Sequence, residues 1–506
     1  MINKIMLLLL LSFPLGIFAQ TTVVTETEAL TVALNWLNTM DDSQSYNIQD
    51  VLTNLDYEIG EDLTFYVIRY DNPAFVIVPA TKFVRPILAY STSSAVGDGF
   101  KEGETHGALY LLSSYNRAIE IHKSTETYME LAQSQWSLSP TCSGVNSNYG
   151  GAALLEHYHT SRWVGRNQAF NCMTEFDNWS NPNQHQRAYN TCVPTAFSQI
   201  IKYFRHPYQG ANTIPSYSFN SNTANAINHQ NYIYDYEIMP FKAGNWGAVD
   251  GYPINPDGSW PTGAFSLYYP YCGDGTITNR EDAPTISEMG RLLFNVGSSV
   301  QMRWFDGTYN SANAWASPMA NNFDYNHISS NTISTTLNYN HTLLSEAVFK
   351  DKLRVSILNE RPVLFRGGTT PYGAHAFLLD GFQCDDFFHV ALGYSGEYDG
   401  YYYIFTADSS GNYGQLVYQY IQSVVVELHP NCNLVPDITI NNKTYSSQEL
   451  EQAQNNITAS NATIQAGSKT FMIGGNSVEL TANVEVVLGA ELFINIETCG
   501  VPKQGN

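Results

Sequence analysis

The amino-acid sequence predicts an α+β chain that ends in a small all-β module, and three observations support this. Residues 20–138 combine helical apolar spacing with short β-branched runs. Residues 139–428 are rich in aromatic residues and glycine, and they contain an amphipathic helix and buried strands. Residues 429–506 hold only short alternating runs between glycine-rich turns. With about 100–200 residues per domain, 506 residues suit three units behind a short leader.

The first 19 residues predict a secretory signal peptide. Lys4 precedes an apolar run over residues 5–18, and Ala19 is a small residue suited to cleavage. The run is too short to span about 30 Å of hydrocarbon, so a membrane anchor or buried helix is the weaker alternative. No later segment reaches 18 consecutive apolar residues. We expect a protein that is secreted or at the cell surface, with no membrane span.

The first unit, residues 20–138, follows a simple order of elements. Apolar residues repeat at helical spacing over residues 26–37, and residues 65–68 and 75–78 are strand-like. Asn72-Pro73 predicts a turn between these strands. A second helical pattern covers residues 107–131. No catalytic cluster is evident in this unit.

A helix that begins near Cys192 is the first indication of chemistry. Ala196, Phe197, Ile200 and Phe204 lie at helical spacing, so they form one apolar face. A thiol at a helix N-terminus is stabilised as the thiolate by the helix dipole and the free N–H groups. A buried structural cysteine that opens a core helix is the alternative interpretation.

A histidine that begins an apolar strand is the second indication. His375 precedes a buried run, and Asp380-Gly381 predicts the turn that ends it. A thiolate needs a partner that accepts its proton and later protonates the leaving amine, and histidine has a suitable pKa for both steps. A core histidine bonded to a backbone carbonyl is the alternative. Residues 387–403 then predict a strand, a glycine turn and a strand.

The cysteines also bear on structure and compartment. Their number is odd, so one thiol is left over unless it pairs between chains. No pair has CxxC spacing, so we expect no structural zinc. We also expect no cofactor. Cys432 and Cys499 bracket the tail and are the disulfide we expect. The seven cysteines are Cys142, Cys172, Cys192, Cys272, Cys384, Cys432 and Cys499.

The tail predicts a small all-β module. Its alternating runs cover residues 457–459, 462–465 and 478–481. The similarity between residues 464–467 and residues 487–490 indicates a short repeat.

Charge excludes two classes of partner. The chain has 24 Lys and Arg against 46 Asp and Glu, for a net charge of −22. Nucleic-acid binding depends on neutralising phosphates, so we expect no nucleic-acid partner. Adhesion to anionic membranes is disfavoured for the same reason.

Together the Cys and His motifs resemble the streptopain-type (C10) cysteine peptidases. The first unit is similar to the inhibitory pro-segment of that family, and the likeness covers about residues 25–428. The matching stretches are FVIVPA (75–80), RPILAY (85–90), CVPTA (192–196), QIIKY (199–203), GSSVQM (297–302), RPVL (361–364), HAF (375–377), DGF (380–382), FHV (388–390) and DGY (399–401).

The resemblance implies a papain-like fold with Cys192 as nucleophile and His375 as general base and acid. It also implies an oxyanion hole, for which Gln168 is the candidate together with the Cys192 backbone N–H. Protein or peptide substrates are implied as partners, with the pro-segment as an intramolecular inhibitor. We expect the pro-segment to be cut off within residues 124–150.

One stretch departs from the family. Where family members usually read Asn-Trp-Gly-Trp, this chain reads Ala391-Leu392-Gly393-Tyr394. The Asn can orient the catalytic imidazole, and Ala391 has no hydrogen-bonding side chain. A backbone carbonyl or a carboxylate such as Asp386 is a possible replacement. The departure is compatible with slow or selective catalysis, or with a pseudoenzyme.

Three hypotheses follow from these residues. The leading one is a secreted cysteine endopeptidase made as an inactive zymogen. The second is a catalytically impaired pseudo-peptidase or a surface adhesion protein on the same scaffold. The third, a metal-dependent hydrolase, depends on His157 and His159, but no HExxH motif accompanies them.

Overall fold

The computed structural model describes most of the first unit, most of the elements around Cys192 and His375, and nearly all of the tail. The predicted signal peptide lies outside the described residues. The described ranges are 22–96, 106–126, 128, 132–137, 175–178, 181–187, 192–219, 222–224, 226–236, 239, 283–303, 317–326, 346–369, 373–384, 387–393, 398–404 and 421–500.

Seven α-helices and one 3-10 turn (His229–Asn231) lie within these ranges. The predicted helix over residues 26–37 is confirmed and continues to Met40. The helix predicted over residues 107–131 ends at Thr125. The helices are α1 (Glu26–Met40), α2 (His106–Thr125), α3 (Ala132–Ser137), α4 (Cys192–Phe204), α5 (Ala283–Ser299), α6 (Ser317–Phe323) and α7 (Glu346–Leu358).

The strands before the tail include the two predicted in the first unit and those predicted around His375. They are β1 (Ile48–Thr53), β2 (Phe65–Tyr70), β3 (Ala74–Pro79), β4 (Ala89–Ser91), β5 (Glu175–Asn178), β6 (Asn181–Arg187), β7 (Tyr217–Phe219), β8 (Asn222–Ala224), β9 (Tyr325–Asn326), β10 (Val363–Thr369), β11 (Gly373–Gln383), β12 (Phe387–Ala391), β13 (Gly400–Tyr403) and β14 (Ile421–Val425).

Nine of these strands form one sheet in the order β1-β2-β3-β4-β13-β12-β11-β10-β14. The first four come from the first unit and the other five come from the region of His375. The two groups meet where β4 pairs antiparallel with β13, with Tyr90 opposite Tyr401 and Ala89 opposite Tyr402. Segments about 300 residues apart in the chain therefore share one hydrogen-bonded sheet.

The sheet separates two hydrophobic cores because side chains alternate along each strand. On β11, Ala376 and Leu378 belong to the core that contains α4 and α5. Phe377 and Leu379 belong to the other core, which contains α1, α2, α7 and the strands of the first unit. Helices thus cover both faces, which accounts for the long apolar runs of β10 to β13.

The turn predicted at Asp380-Gly381 is wrong. Strand β11 runs through this dipeptide to Gln383, and its pairing with β12 shifts register between Leu379 and Gly381. Such a bulge re-aims side chains without ending the strand. Here the buried Asp380 side chain reaches His389 of β12.

The tail is all-β, as predicted, but its strands pair in parallel. The strands form three sheets of three strands each, β16-β19-β22, β17-β20-β23 and β18-β21-β24. Each coil of the chain contributes one strand to every sheet, so three coils are stacked on one another. We call this region the solenoid. Its strands follow the short β15 (His429–Pro430) and are β16 (Asp437–Asn441), β17 (Thr444–Tyr445), β18 (Gln448–Ala453), β19 (Asn456–Ser460), β20 (Thr463–Ile464), β21 (Lys469–Gly474), β22 (Ser477–Leu480), β23 (Glu485–Val486) and β24 (Glu491–Ile496).

The predicted repeat is part of this stacking, with a register one residue different from the prediction. Ile464 pairs with Val486, and the Gly467 N–H donates to the carbonyl of Gly489 at 2.8 Å. The first two coils bury residues such as Tyr445, Ile457 and Ile464 in the solenoid core, and partly buried residues of the third coil, such as Val478 and Leu492, pack against them.

The predicted disulfide between Cys432 and Cys499 is confirmed. It joins the start of the tail to the residues just beyond the last coil. Cys384 is also disulfide-bonded. Among the cysteines in the described ranges, Cys192 is the free thiol.

The solenoid is docked against the region of α4 by both polar and apolar contacts. Arg205, one residue beyond α4, forms an ion pair with Glu497 at 2.7 Å. Lys469 forms another with Asp235 at 2.7 Å. Phe471 and Ile473 of β21 belong to the same core as α4. Within the described ranges, no helix is both long and apolar enough to cross a bilayer.

Candidate active site

Cys192 is the first residue of α4, as the apolar spacing predicted. From Val193 to Phe204 every residue of α4 is buried, so the helix is held firmly in the core. Pro194 is tolerated because backbone N–H groups in a first turn have no intrahelical partner. The backbone N–H of Val193, in this first turn, bonds the Cys192 sulfur. Cys192 itself is partly exposed.

His375 lies near the start of β11, which packs against α4, and its imidazole is hydrogen-bonded to the Cys192 thiol. The backbone N–H of Ala376, the next residue, also bonds the sulfur. The two residues selected from sequence are therefore brought together by one helix and one strand. They are 183 positions apart in the chain.

The environment of Cys192 favours the thiolate. Burial acts most strongly and raises the pKa of the thiol. The charge of His375, its hydrogen bond and the N–H groups of Ala376 and Val193 act the other way, and together they hold the pKa below its ordinary value. A thiol that is ionised below its usual pKa, beside an imidazole, is chemically an activated nucleophile.

The imidazole of His375 is oriented by a backbone group. Its Nε2 lies 3.0 Å from the carbonyl oxygen of Leu392. This bond assigns the proton to Nε2 and leaves Nδ1 for the thiol. Of the replacements considered for the family's Asn, the structure shows the backbone carbonyl. Ala391 is buried beside α4, and Asp386 lies outside the described residues.

A buried polar cluster adjoins this carbonyl. The Leu392 N–H donates to Asp399 Oδ1 at 2.8 Å, and His389 Nδ1 lies 2.6 Å from Asp380 Oδ1. Burial raises the pKa of Asp399 to about 7, against the opposing influence of His389 and of the Leu392 N–H, while Asp380 raises it further. Sequence reasoning missed this cluster because Asp380 was assigned to a turn and a backbone carbonyl has no sequence signature.

Several residues selected from sequence lie outside the described residues. These include Gln168, the candidate for the oxyanion hole, and His157 and His159, on which the metal hypothesis depends. Within the described ranges, no three His, Cys, Asp or Glu side chains are grouped in a way that could hold a metal ion.

Comparison with known proteins identifies the class. Residues 165–402 match the model of the peptidase C10 family, and residues 21–119 match that of the Spi protease inhibitor. Streptopain of Streptococcus pyogenes serotype M28 is 24% identical over 349 residues, which are 67% of this chain and 73% of streptopain. The thiol protease/hemagglutinin PrtT of Porphyromonas gingivalis is 26% identical over 266 residues, which are 50% of this chain and 26% of PrtT.

Two solved structures from Prevotella intermedia are also similar. A prointerpain A fragment aligns with a TM-score of 0.49 at 16% identity, covering 76% of this chain and 98% of the fragment. Active interpain A aligns with a TM-score of 0.36 at 16% identity, covering 54% of this chain and 93% of that protein.

The fold and the family matches define a cysteine peptidase preceded by an inhibitor segment. Residues 165–402 are a C10-type peptidase region, and residues 21–119 are an inhibitor-type pro-segment. The predicted α+β class with an all-β tail is confirmed: a C10-type peptidase region of mixed helices and strands lies between an α+β pro-segment and an all-β module. Strands β1 to β4 fall within the inhibitor match, and Cys192 and His375 fall within the peptidase match.

Proposed function

We propose that this protein is a secreted cysteine endopeptidase, made as a zymogen, that cleaves peptide bonds through Cys192 and His375. The observation that carries the proposal is the hydrogen bond between the Cys192 thiol and the His375 imidazole, together with the lowered pKa of that thiol. Both residues lie in the part of the chain that matches the peptidase family.

The geometry supports a two-stage reaction. The Cys192 thiolate attacks the carbonyl carbon of the substrate, and the negative oxygen that forms is stabilised by N–H donors near the start of α4. The backbone N–H of Cys192 and the side-chain amide of Gln168 are the proposed donors. The His375 imidazolium then protonates the leaving amine. In the second stage His375 takes a proton from water, which hydrolyses the thioester and frees Cys192.

The inhibitor segment supports the zymogen part of the proposal. Its strand β4 is hydrogen-bonded to β13 of the peptidase region, and Tyr115 of α2 donates to the carbonyl of Tyr403 at 3.1 Å. A segment held by a shared sheet leaves only after the chain is cut. We place the domain boundary at 138/139 and the cut within residues 124–150.

Hydrolysis of casein under reducing conditions tests this function. The full-length chain is allowed to mature, and the same chain with Cys192→Ala is carried beside it. We expect wild-type activity and a loss of at least about a thousandfold in the variant, because the nucleophile is gone. Processing of the pure Cys192→Ala precursor should also stop if maturation is autocatalytic. Equal melting temperatures would show that both proteins are folded.

The alternative is a pseudo-peptidase or adhesion protein, and the observation behind it is Ala391 in place of the family's Asn. Folded wild-type protein that hydrolyses neither casein nor a mixed peptide pool would favour it. Activity that persists in Cys192→Ala would contradict both ideas, and activity lost on chelation would favour a metal-dependent hydrolase.

A further inference from the structure

The orientation of the His375 ring depends on where the Leu392 carbonyl points. This carbonyl accepts from Nε2 at 3.0 Å, and the imidazole is 7% exposed, so water has little access to the ring. A side-chain amide in this role would be fixed by its own rotamer and packing. A backbone carbonyl is fixed only by the conformation of the chain on either side of it.

Two features fix the chain around Leu392. On one side, its N–H donates to Asp399 Oδ1 at 2.8 Å. On the other side, Gly393 has a φ of +81°, in the left-handed region that favours glycine. Because the N–H and the carbonyl of Leu392 flank the same Cα, anchoring the first restricts the direction of the second.

Asp399 is itself buried and firmly placed. It is 9% exposed and immediately precedes β13. Three titratable groups interact electrostatically with Asp399. They are His389 of β12, Asp380 of β11 and the buried Tyr402 phenol of β13. Because burial disfavours its charge and raises its pKa to about 7, a neutral side chain with an acceptor oxygen suits this place.

We propose that Asp399 is a positioning residue that holds Leu392 so that its backbone carbonyl orients the catalytic imidazole of His375. In this arrangement the backbone carbonyl of Leu392 takes the place of the side-chain amide that the family's Asn supplies and that Ala391 lacks. This inference rests on the proposed function, since it takes Cys192 and His375 as the reacting pair. Its test is therefore one that needs no turnover of a peptide.

The experiment compares Asp399→Ala with Asp399→Asn in the full-length chain. Asn keeps an acceptor oxygen for the Leu392 N–H, whereas Ala removes it. The readout is the pH dependence of Cys192 alkylation by iodoacetamide, followed by mass spectrometry of the Cys192 peptide. A thiolate held by a well-oriented imidazolium reacts below the ordinary thiol pKa of about 8.5.

We expect the inflection for Asp399→Ala to move upward toward that of a free thiol, while Asp399→Asn stays close to wild type. In mature protein, kcat should fall by about 10- to 100-fold in Asp399→Ala with little change in KM. The reason is that the variant misplaces the imidazole but leaves the binding of substrate unchanged. Asp380→Asn is the matched control. It disturbs the same buried cluster without touching the bond to Leu392, so it should lower the melting temperature and leave the inflection in place.

A second variant covers the case in which Asp399→Ala does not fold. Gly393→Ala acts on Leu392 from the other side, because alanine disfavours a φ of +81°, and it should also raise the inflection. The proposal is overturned if folded Asp399→Ala or Gly393→Ala keeps the wild-type inflection, or if Asp380→Asn shifts it equally. If wild-type protein shows the low inflection but no peptidase activity, the proposed function fails while the positioning role stands.

Discussion

The Cys192 thiol experiences opposing effects, and the balance depends on one neighbour. Burial, the largest effect, raises its pKa, while the charge and hydrogen bond of His375 contribute most of the lowering. The N–H groups of Ala376 and Val193 contribute the rest. Removal of His375 would therefore leave burial opposed only by two backbone donors.

This balance gives a residue-scale prediction for His375→Ala. The pKa of the Cys192 thiol should rise by about one unit or more, since an opposite charge at contact distance is worth 1–3 units. The rate of alkylation at pH 6 should then fall by about tenfold or more. His429→Ala is the control, because His429 bonds the backbone carbonyl of Glu427 and is not among the groups that shift the pKa of Cys192. An unmoved alkylation profile in His375→Ala would show that the imidazole does not stabilise the thiolate.

At this scale the sequence allows Cys192 and His375 to be selected as the proposed reacting pair, but it does not reveal the groups that support them. Each of the two carries a reactive side chain beside a clear apolar pattern, and the structure brings them into hydrogen-bond contact. Leu392 acts through its carbonyl, which every residue has, so no residue type marks it. Asp399 could not be assigned either, since its role depends on a hydrogen bond that only the folded turn before β13 creates.

The junction of β4 and β13 connects the inhibitor segment to the peptidase region at the scale of elements. Besides the ladder itself, the Tyr403 N–H donates to the carbonyl of Leu88 at 2.8 Å. The Tyr398 N–H donates to the carbonyl of Ala95 at 3.0 Å, directly beside Asp399. The pro-segment thus contacts the turn that, in our proposal, positions the His375 imidazole.

Gly400→Ala tests this junction. A Cβ at position 400 would lie 2.7 Å from the carbonyl oxygen of Tyr90 and 3.1 Å from atoms of Phe75 and Ser91. All three belong to the inhibitor segment, so the clash exists only while that segment is docked. We expect the precursor to lose about 1–3 kcal/mol of stability and to mature faster.

The mature form of Gly400→Ala should melt at the same temperature as mature wild type. This comparison of the two mature forms is the control. Calorimetry of both forms gives the comparison. A precursor of unchanged stability, or a mature form destabilised by the same amount, would mean that the junction does not attach the segment.

At the scale of elements, helices and strands could be predicted from sequence where a clear apolar pattern marks them. Helices α1 and α4 show apolar residues at helical spacing, strands β2, β3 and β12 are short continuous apolar runs, and their positions match the predictions. The bulge at Asp380-Gly381 was interpreted as a turn because Asp-Gly is typical of turns. Here burial on both faces of β11 overrides that local preference.

At the scale of the whole molecule, helix α4 contacts the solenoid at the end opposite to the Cys192 thiol. Arg205 and Tyr208, just after α4, both bond the carboxylate of Glu497. Cys192 lies at the other end of the helix, about 18 Å away at 1.5 Å per residue. The β character of the tail could be predicted from its alternating runs. The parallel stacking could not, because runs of two to six residues do not reveal which strands pair.

The Cys432–Cys499 disulfide should stabilise this docked tail without affecting the thiol chemistry. The bridge closes a loop with a sequence separation of 67 residues, and a closure of that length is worth about 4 kcal/mol through the unfolded chain. The double variant Cys432→Ser, Cys499→Ser should therefore unfold at a lower urea concentration. Its alkylation profile at Cys192 should match wild type, because the tail contacts the far end of α4. An unchanged urea midpoint would mean that the solenoid core and the Arg205–Glu497 ion pair hold the tail in place without the bridge. A shifted alkylation profile would mean that the docked tail affects the Cys192 thiol along the length of α4.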